Sequence, residues 1–299
     1  MEHPDMSRGG RLTAHSAVST SLALCSDRGL RELVDAAVPL GSGIGGRSAL
    51  MEVAGTPVFL KRVPLTDSER LPRNTRSTAN MFGLPAFCQY GIGGPGFGAW
   101  RELAVHTMTT NWVLAGQFQG FPLMYHWRVL PDTEQPLPEE LADVERAVAY
   151  WGGGPEVRHR IEALRQASAS VALFLEYIPQ NLHEWLGAQV RAGEEAADRA
   201  CSLVDKGLEA GVSFMNARGL LHFDAHFERK ERDALVRACA EGERPTGIPE
   251  AAAAILTRYS SLAVVMADFY RKLQEESRQT PYPLEEIHRV VAACGLSIG

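Results

Sequence analysis

The sequence lacks several features that mark specialised classes of protein. Its five cysteines form no C-x-x-C pair, and their odd number argues against a disulfide framework. No apolar run reaches the roughly 18 residues that a membrane-spanning helix requires, and the run Ala17 to Leu24 is a poor signal-peptide core. A formal net charge of -6 provides no basic surface for nucleic acid or anionic lipid. We therefore expect a soluble, cytoplasmic protein with reduced thiols that binds neither nucleic acid nor a membrane.

What the sequence does contain is enough apolar material, 45% of 299 residues, for one large domain or two modest ones. Residues 38–40, 48–53 and 58–61 have the character of short strands. The pattern predicts a glycine loop between two strands, followed by a third strand that ends at Lys61. Glycine lets backbone amides approach a phosphate closely, and the loop contains Gly41, Gly43, Gly45 and Gly46.

Longer-range patterns predict one buried strand and several helices. The short, fully apolar run Val171-Ala-Leu-Phe-Leu175 is typical of a buried strand. A helix is expected to begin near Ala99, and apolar residues recur at helical spacing from Glu195 to Arg218. Gly219 is well placed to end that helix. Beyond residue 228 the pattern is helical to Ala293.

The segment that says most about chemistry is Gly219-Leu-Leu-His-Phe-Asp-Ala-His-Phe-Glu228. After an extended apolar stretch it presents Asp224, a carboxylate that could orient a hydroxyl for attack on a phosphate. A phosphotransferase loop of this kind also carries an Asn for a metal ion a few residues later. Arg229 stands at that position.

Taken in order, these segments resemble the motifs of protein kinases and of their aminoglycoside-phosphotransferase-like relatives. Gly41 to Gly46 resembles the glycine-rich loop, Val58 to Lys61 is similar to the V-A-I-K strand, and His222-Phe-Asp224 is similar to the H-R-D triplet. Glu176-Tyr-Ile-Pro179, directly after the buried strand, resembles the hinge between two lobes. The resemblance covers about residues 38–228, with insertions between the motifs.

The resemblance implies an α+β protein with a two-lobed protein-kinase-like fold. A small lobe would be built on an antiparallel sheet, and a mainly helical large lobe would be truncated. The expected division is an N-terminal extension at 1–36, a kinase-like small lobe with insertions at 37–179 and a helical large lobe at 180–299. A long irregular insertion is expected at 64–98, which is rich in Pro, Gly, Asn and Arg.

The resemblance also implies a role for each site residue. Lys61 would contact the α- and β-phosphates of ATP, and Glu102 would pair with Lys61, with Glu69 as a rival for that pairing. Asp224 would position the hydroxyl of a protein or small-molecule acceptor. The hinge backbone that would contact adenine belongs to Glu176, Tyr177 and Ile178.

Two departures from the family pattern concern the metal. Arg229 replaces the metal-binding Asn, and no D-F-G occurs at a plausible distance, since Asp268-Phe-Tyr270 lies inside a helical stripe. Mg²⁺ is expected for the family, but the sequence offers no ligands for it at these positions. We therefore predict that transfer of the ATP γ-phosphate to a hydroxyl is absent or severely impaired. The alternative is a pseudokinase that binds or regulates a partner through contacts.

Other interpretations of the same residues stay open. His222, Asp224 and His226 alternate, so an extended strand would place them on one face, where they could hold Zn²⁺ or Fe²⁺ in a metal-dependent hydrolase. Gly91 to Gly96 mimics a dinucleotide-binding fingerprint, but the acidic residue expected further on is lacking.

The kinase-like motifs of the first half also have plain explanations. The glycines could form only a hairpin turn. Lys61 could be a solvated lysine at a strand end, and Glu102 an acid that complements the dipole at a helix N-terminus.

Overall fold

The computed structural model of the chain describes residues 5–43, 45–85, 88, 96, 98–218, 250–277 and 280–295. The chain divides into two compact units. The first comprises Met1–Gln89 with Gly93–Ile178, and the second comprises Tyr90–Ile92 with Pro179–Gly299. The first unit contains an antiparallel sheet with helices, and the second is helical in its described residues. The predicted α+β class and the antiparallel sheet are therefore confirmed.

The sheet of the first unit has five strands in the order β1-β2-β3-β5-β4, and every neighbouring pair is antiparallel. All eight residues of β5 are buried, which explains why the central strand is an uninterrupted apolar run. β1 is an edge strand and is largely exposed. The strands are β1 Val38–Gly43, β2 Gly46–Val53, β3 Thr56–Leu65, β4 Met124–Pro131 and β5 Ala169–Glu176.

Helices cover both faces of this sheet. Because side chains alternate along a strand, Leu60 and Phe174 belong to the core on one face, whereas Val63 and Leu173 belong to the core on the other. The first core includes residues of α1 (Arg8–Ala23) and α2 (Asp27–Asp35), and the second includes residues of α4 (Ala99–Leu114). The start of α4 agrees with the helix predicted near Ala99.

The polar segment expected as an N-terminal extension thus contributes two helices to the first unit. Each begins at a serine whose side chain accepts a hydrogen bond from a backbone N–H in the first turn, Ser7 from Gly10 and Ser26 from Gly29. Their apolar residues are few but are spaced to lie on one face. The buried ones are Val18, Leu22, Leu30 and Val34.

The segments between the strands add short helices to the first unit. The insertion at 64–98 contains α3 (Asp67–Arg70) and a short 3-10 helix, Pro72–Asn74. Between β4 and β5 the chain forms three more helices, α5 Glu139–Ala142, α6 Val144–Tyr150 and α7 Pro155–Arg165.

The second unit has four helices in its described residues, and neighbours in the chain pack on one another. They are α8 Leu182–Arg191, α9 Glu194–Ala217, α10 Glu250–Glu275 and α11 Leu284–Ala293. Phe269 of α10 is 2% exposed, so the residue that mimics the Phe of D-F-G is a core residue, as expected. In the part of the chain that the structure describes, no helix is both long and apolar enough to cross a membrane.

Candidate functional site

The centre of the candidate site is an ion pair between a strand and a helix of the first unit. Nζ of Lys61, on β3, lies 2.5 Å from Oε1 of Glu102, in the first turn of α4. The Lys61 side chain is 28% exposed and the Glu102 side chain is 10% exposed. The pair therefore holds the ammonium in place at the end of a side chain that is partly accessible to solvent.

Strand alternation and helix packing together bring this pair into contact. Lys61 pairs with Leu173 of β5 and shares its face of the sheet with Val63. Trp100 and Leu103 of α4 are buried in the core on that face. Glu102 lies between them in sequence and reaches the strand that carries the lysine.

Glu102 also interacts with a residue that sequence reasoning did not select. His106 Nε2 lies 3.8 Å from Glu102 Oε1, one helical turn further along α4. Burial raises the pKa of Glu102, but the attraction of His106 and of Lys61 outweighs burial, so the pKa of Glu102 is lowered. The carboxylate thus stays ionised beside the ammonium. The spacing of four residues on one helix was the signal that could have identified His106.

The glycine loop passes close to the same ammonium. A Cβ atom built on Gly45 would lie 3.0 Å from Lys61 Nζ, so the backbone of the loop runs directly beside this nitrogen. Gly46 has a φ of +110°, and a Cβ there would lie 2.1 Å from the carbonyl oxygen of Arg62. Glycine at position 46 is therefore required by the backbone conformation and by close contact with β3.

The other two glycines of the predicted loop have a different environment. Gly41 and Gly43 lie on the edge strand β1, and Gly43 pairs with Gly46 across the hairpin. A Cβ at either position would meet no atom within 4 Å. They leave open space next to the loop but do not make the close approach that Gly45 and Gly46 make.

Glu69, the rival partner for Lys61, is engaged elsewhere. It is 1% exposed and forms a capping box with Thr66 at the start of α3. Its Oε2 lies 3.2 Å from Nη1 of Arg160, and its backbone carbonyl accepts a hydrogen bond of 2.8 Å from Nε1 of Trp100. A Cβ on Gly98 would lie 2.6 Å from Glu69 Oε1, so this carboxylate also adjoins the N-terminus of α4. Glu69 thus supports the helix that presents Glu102.

A row of apolar side chains crosses the sheet next to Lys61. Val38, Leu50, Phe59 and Leu175 are opposite one another on four adjacent strands, so they share one face. This is the face of Lys61, which lies two residues beyond Phe59, or about 7 Å along β3. Leu175 is buried, Leu50 and Phe59 are partly buried, and Val38 is 64% exposed. The row is thus covered at one end and open at the other.

The predicted hinge begins where β5 ends. The side chain of Glu176 accepts two hydrogen bonds from Arg11 of α1, from Nε to Oε1 at 2.7 Å and from Nη2 to Oε2 at 2.7 Å. The side chain of Glu176 is 5% exposed and both of its carboxylate oxygens accept hydrogen bonds from Arg11, so the side chain is closed to a ligand. Tyr177 and Ile178 follow and complete the first unit.

Sequence reasoning missed Arg11 entirely. The one available signal was its spacing from Val18 and Leu22, which places all three on one face of a helix. The structure shows Arg11 buried on that face, within the polar segment that was expected only as an N-terminal extension.

Several predicted site residues lie outside the described residues. These are Asp224, the neighbouring His222 and His226, and Arg229. For this reason the role of Asp224 in a catalytic loop, the effect of Arg229 on metal binding and the alternative of a metal-dependent hydrolase stay predictions. The glycine-rich run 91–96 also lies outside them, apart from Gly96. The structure therefore brings together Gly45, Lys61 and Glu102, and it leaves the second half of the predicted site undescribed.

Comparison with known proteins gives no family assignment. No protein-family model matches the chain, and no curated protein matches it.

Proposed function

We propose that this protein has a two-lobed kinase-like fold and binds ATP at the site formed by Lys61, Glu102 and the glycine loop. The observation that carries the proposal is the 2.5 Å pair between Lys61 and Glu102 with the backbone of Gly45 beside the ammonium. The loop and the strand of Lys61 belong to neighbouring antiparallel strands, and Glu102 comes from a helix that begins well after them in the chain. A solvated lysine at a strand end does not account for the contact with Glu102.

The chemistry of this arrangement suits a phosphate group. An ammonium fixed by a carboxylate attracts an anion without having to be ordered at the moment of binding. Glycine at position 45 leaves room for backbone N–H groups to approach the same anion. Lys61 and the loop would hold the phosphates of ATP, while Glu102 would keep Lys61 in position.

The apolar row supports a site for the adenine base. Val38, Leu50 and Phe59 offer apolar surface on the face that carries Lys61. The row includes Leu175, and Glu176, the first hinge residue, comes next in the chain. A nucleotide with its base on this row and its phosphates at Lys61 would therefore extend along β3.

The reaction expected for this fold is transfer of the γ-phosphate to a hydroxyl. Asp224 positions the hydroxyl and accepts its proton, the acceptor oxygen forms the new bond to phosphorus, and the bond between phosphorus and the leaving oxygen of ADP breaks. Arg229 and the lack of a D-F-G remove the usual protein ligands of Mg²⁺, which neutralises the charge that develops on the phosphates. The chain therefore binds ATP but transfers phosphate poorly or not at all.

The same departures favour a second candidate, a pseudokinase that binds or regulates a partner. A protein of this class would keep the fold and bind ATP without a metal, or would bind no nucleotide. Metal dependence separates a chain that retains phosphotransfer from a pseudokinase, because an active kinase is stabilised more strongly by ATP with Mg²⁺ than by ATP alone.

Thermal unfolding with ATP, in the presence and absence of Mg²⁺, tests the proposal. We expect ATP to raise the melting temperature of the wild-type chain, and Lys61→Met to abolish this shift. Lys206→Met, which removes the same charge from an exposed position on α9, should leave the shift unchanged. No shift in the wild type, or an equal shift in Lys61→Met, would contradict the proposed ATP site.

A turnover assay tests the proposed impairment. Robust Mg²⁺-dependent consumption of ATP by the wild-type chain, lost in Asp224→Asn, would show that phosphotransfer is intact.

A further inference from the structure

We propose that Arg11 is a positioning residue for the nucleotide site, because it fixes the end of β5 from which the hinge backbone starts. This inference rests on the proposed function and adds α1 to the parts of the protein that ATP binding requires.

Arg11 connects three separate segments of the first unit. Its guanidinium donates to both carboxylate oxygens of Glu176, from Nε and Nη2, each at 2.7 Å. It also donates from Nη1 to the carbonyl oxygen of Gln119 at 2.8 Å and from Nη2 to that of Phe121 at 2.6 Å. The planar fork of arginine matches a carboxylate in a way that a lysine cannot. One side chain thus ties α1, the segment before β4 and the end of β5 together.

Glu176 is in turn bound to the start of β4. The backbone N–H of Leu123 donates to Glu176 Oε2 at 2.9 Å, and the backbone N–H of Glu176 donates to the carbonyl oxygen of Leu123 at 2.7 Å. Both carboxylate oxygens and the amide of Glu176 are therefore occupied. The position from which Tyr177 and Ile178 continue is fixed by these bonds, and Arg11 supplies two of them.

Burial of the ion pair between Arg11 and Glu176 restricts it to one geometry. The side chains of Arg11 and Glu176 are 9% and 5% exposed. The hydrogen bonds to Glu176 raise the pKa of Arg11 against the opposing effect of burial. An ion pair removed from water contributes little net stability compared with apolar side chains of the same volume, but it has one favourable geometry. Val18 and Leu22 already anchor α1 to the sheet, so stability alone does not explain why Arg11 is buried there.

The experiment compares variants at two contacts between the N-terminal helices and the sheet. Arg11→Met removes the guanidinium, and the double variant Arg11→Met with Glu176→Gln also removes the unpaired buried charge, which protects folding. Arg128→Met is the matched control, because Arg128 of β4 binds Asp27 of α2 away from the end of β5. Each full-length variant is examined by hydrogen exchange and by ATP titration with Mg²⁺.

We expect both Arg11 variants to exchange faster in residues 119–125 and 174–178 and to bind ATP roughly 10- to 100-fold more weakly, as misplaced binding groups do. The control should match the wild type in both measurements. ATP binding at wild-type strength by the double variant would overturn the inference, and so would equal effects in Arg128→Met. If the wild type binds no ATP, the proposed function fails, and the exchange rates alone decide whether Arg11 positions the strand end.

Discussion

Lys61 and Glu102 are in contact although one lies on a strand and the other in the first turn of a helix that begins well after it in the chain. Their 2.5 Å contact places a fixed positive charge next to the glycine loop of the first unit. The proposed ATP site depends on this relationship.

Glu102→Gln should weaken the hold on Lys61 and lower the free energy of unfolding by about 1–3 kcal/mol, because the pair is mostly but not fully buried. The folded-state pKa of Glu102 is lowered, so its contribution is present above the ordinary value of 4.5 and is lost as the pH falls through the folded pKa. Urea unfolding of the wild type and the variant at several values between roughly pH 3 and pH 7, a range that spans the titration of a carboxyl group, measures the difference in their free energies of unfolding. If the difference in free energy of unfolding between wild type and variant stays the same at acid pH, the ionised Glu102 does not stabilise the protein through Lys61.

Gly46→Ala should lower the free energy of unfolding by about 1–3 kcal/mol. An alanine is strained at the positive φ of residue 46, and its Cβ atom would overlap the carbonyl oxygen of Arg62. Gly43→Ala is the control on the same hairpin, since a Cβ there meets nothing within 4 Å. Chemical denaturation of both variants measures the difference. Equal stabilities would show that the loop can rearrange.

Arg160→Met should destabilise the first unit by about 3–5 kcal/mol, because it leaves Glu69 buried without its ion-pair partner. Arg158→Met, on the same helix α7, removes an exposed ion pair with Glu145 and should leave the free energy of unfolding almost unchanged. Urea midpoints of the two variants provide the comparison. If they coincide, Glu69 does not depend on Arg160 for its support of α4.

Stability should fall as the pH drops below the ordinary histidine pKa of 6.5. Burial lowers the pKa of His15 against a hydrogen bond to the backbone of Met124, and burial together with the charge of Arg128 lowers the pKa of His126. Below about pH 6.5 the unfolded chain therefore binds more protons than the folded chain, so the free energy of unfolding decreases as the pH falls. Above that pH these histidines are neutral in both states and do not change it.

Urea unfolding between about pH 8 and pH 5 measures this slope. His15→Gln should make it shallower, since glutamine does not titrate. A slope that is the same in wild type and variant would exclude His15 as a source.

The sequence alone located the parts of the site that depend on local patterns. Alternating apolar residues and glycines predicted the strands around Gly45 and the strand of Lys61, and periodicity predicted the start of α4 near Ala99. These signals are reliable because the strand and helix periods are set by the backbone. The sequence could not reveal that the N-terminal helices pack on the sheet, because α1 and α2 carry few apolar residues. Whether those residues are buried depends on the sheet residues that they contact in the folded protein.

Only the tertiary structure decided between partners. Glu69 and Glu102 both lie in the first turn of a helix, so local sequence gives them equal claims to Lys61. Packing of α4 on the sheet brings Glu102 to the lysine, while Arg160 and Thr66 occupy Glu69. The same holds for Arg11, whose partner Glu176 lies far along the chain. An ion pair between distant segments depends on how close the folded backbone brings the two charges. The periodicity of the sequence describes each segment by itself and does not give the distance between them.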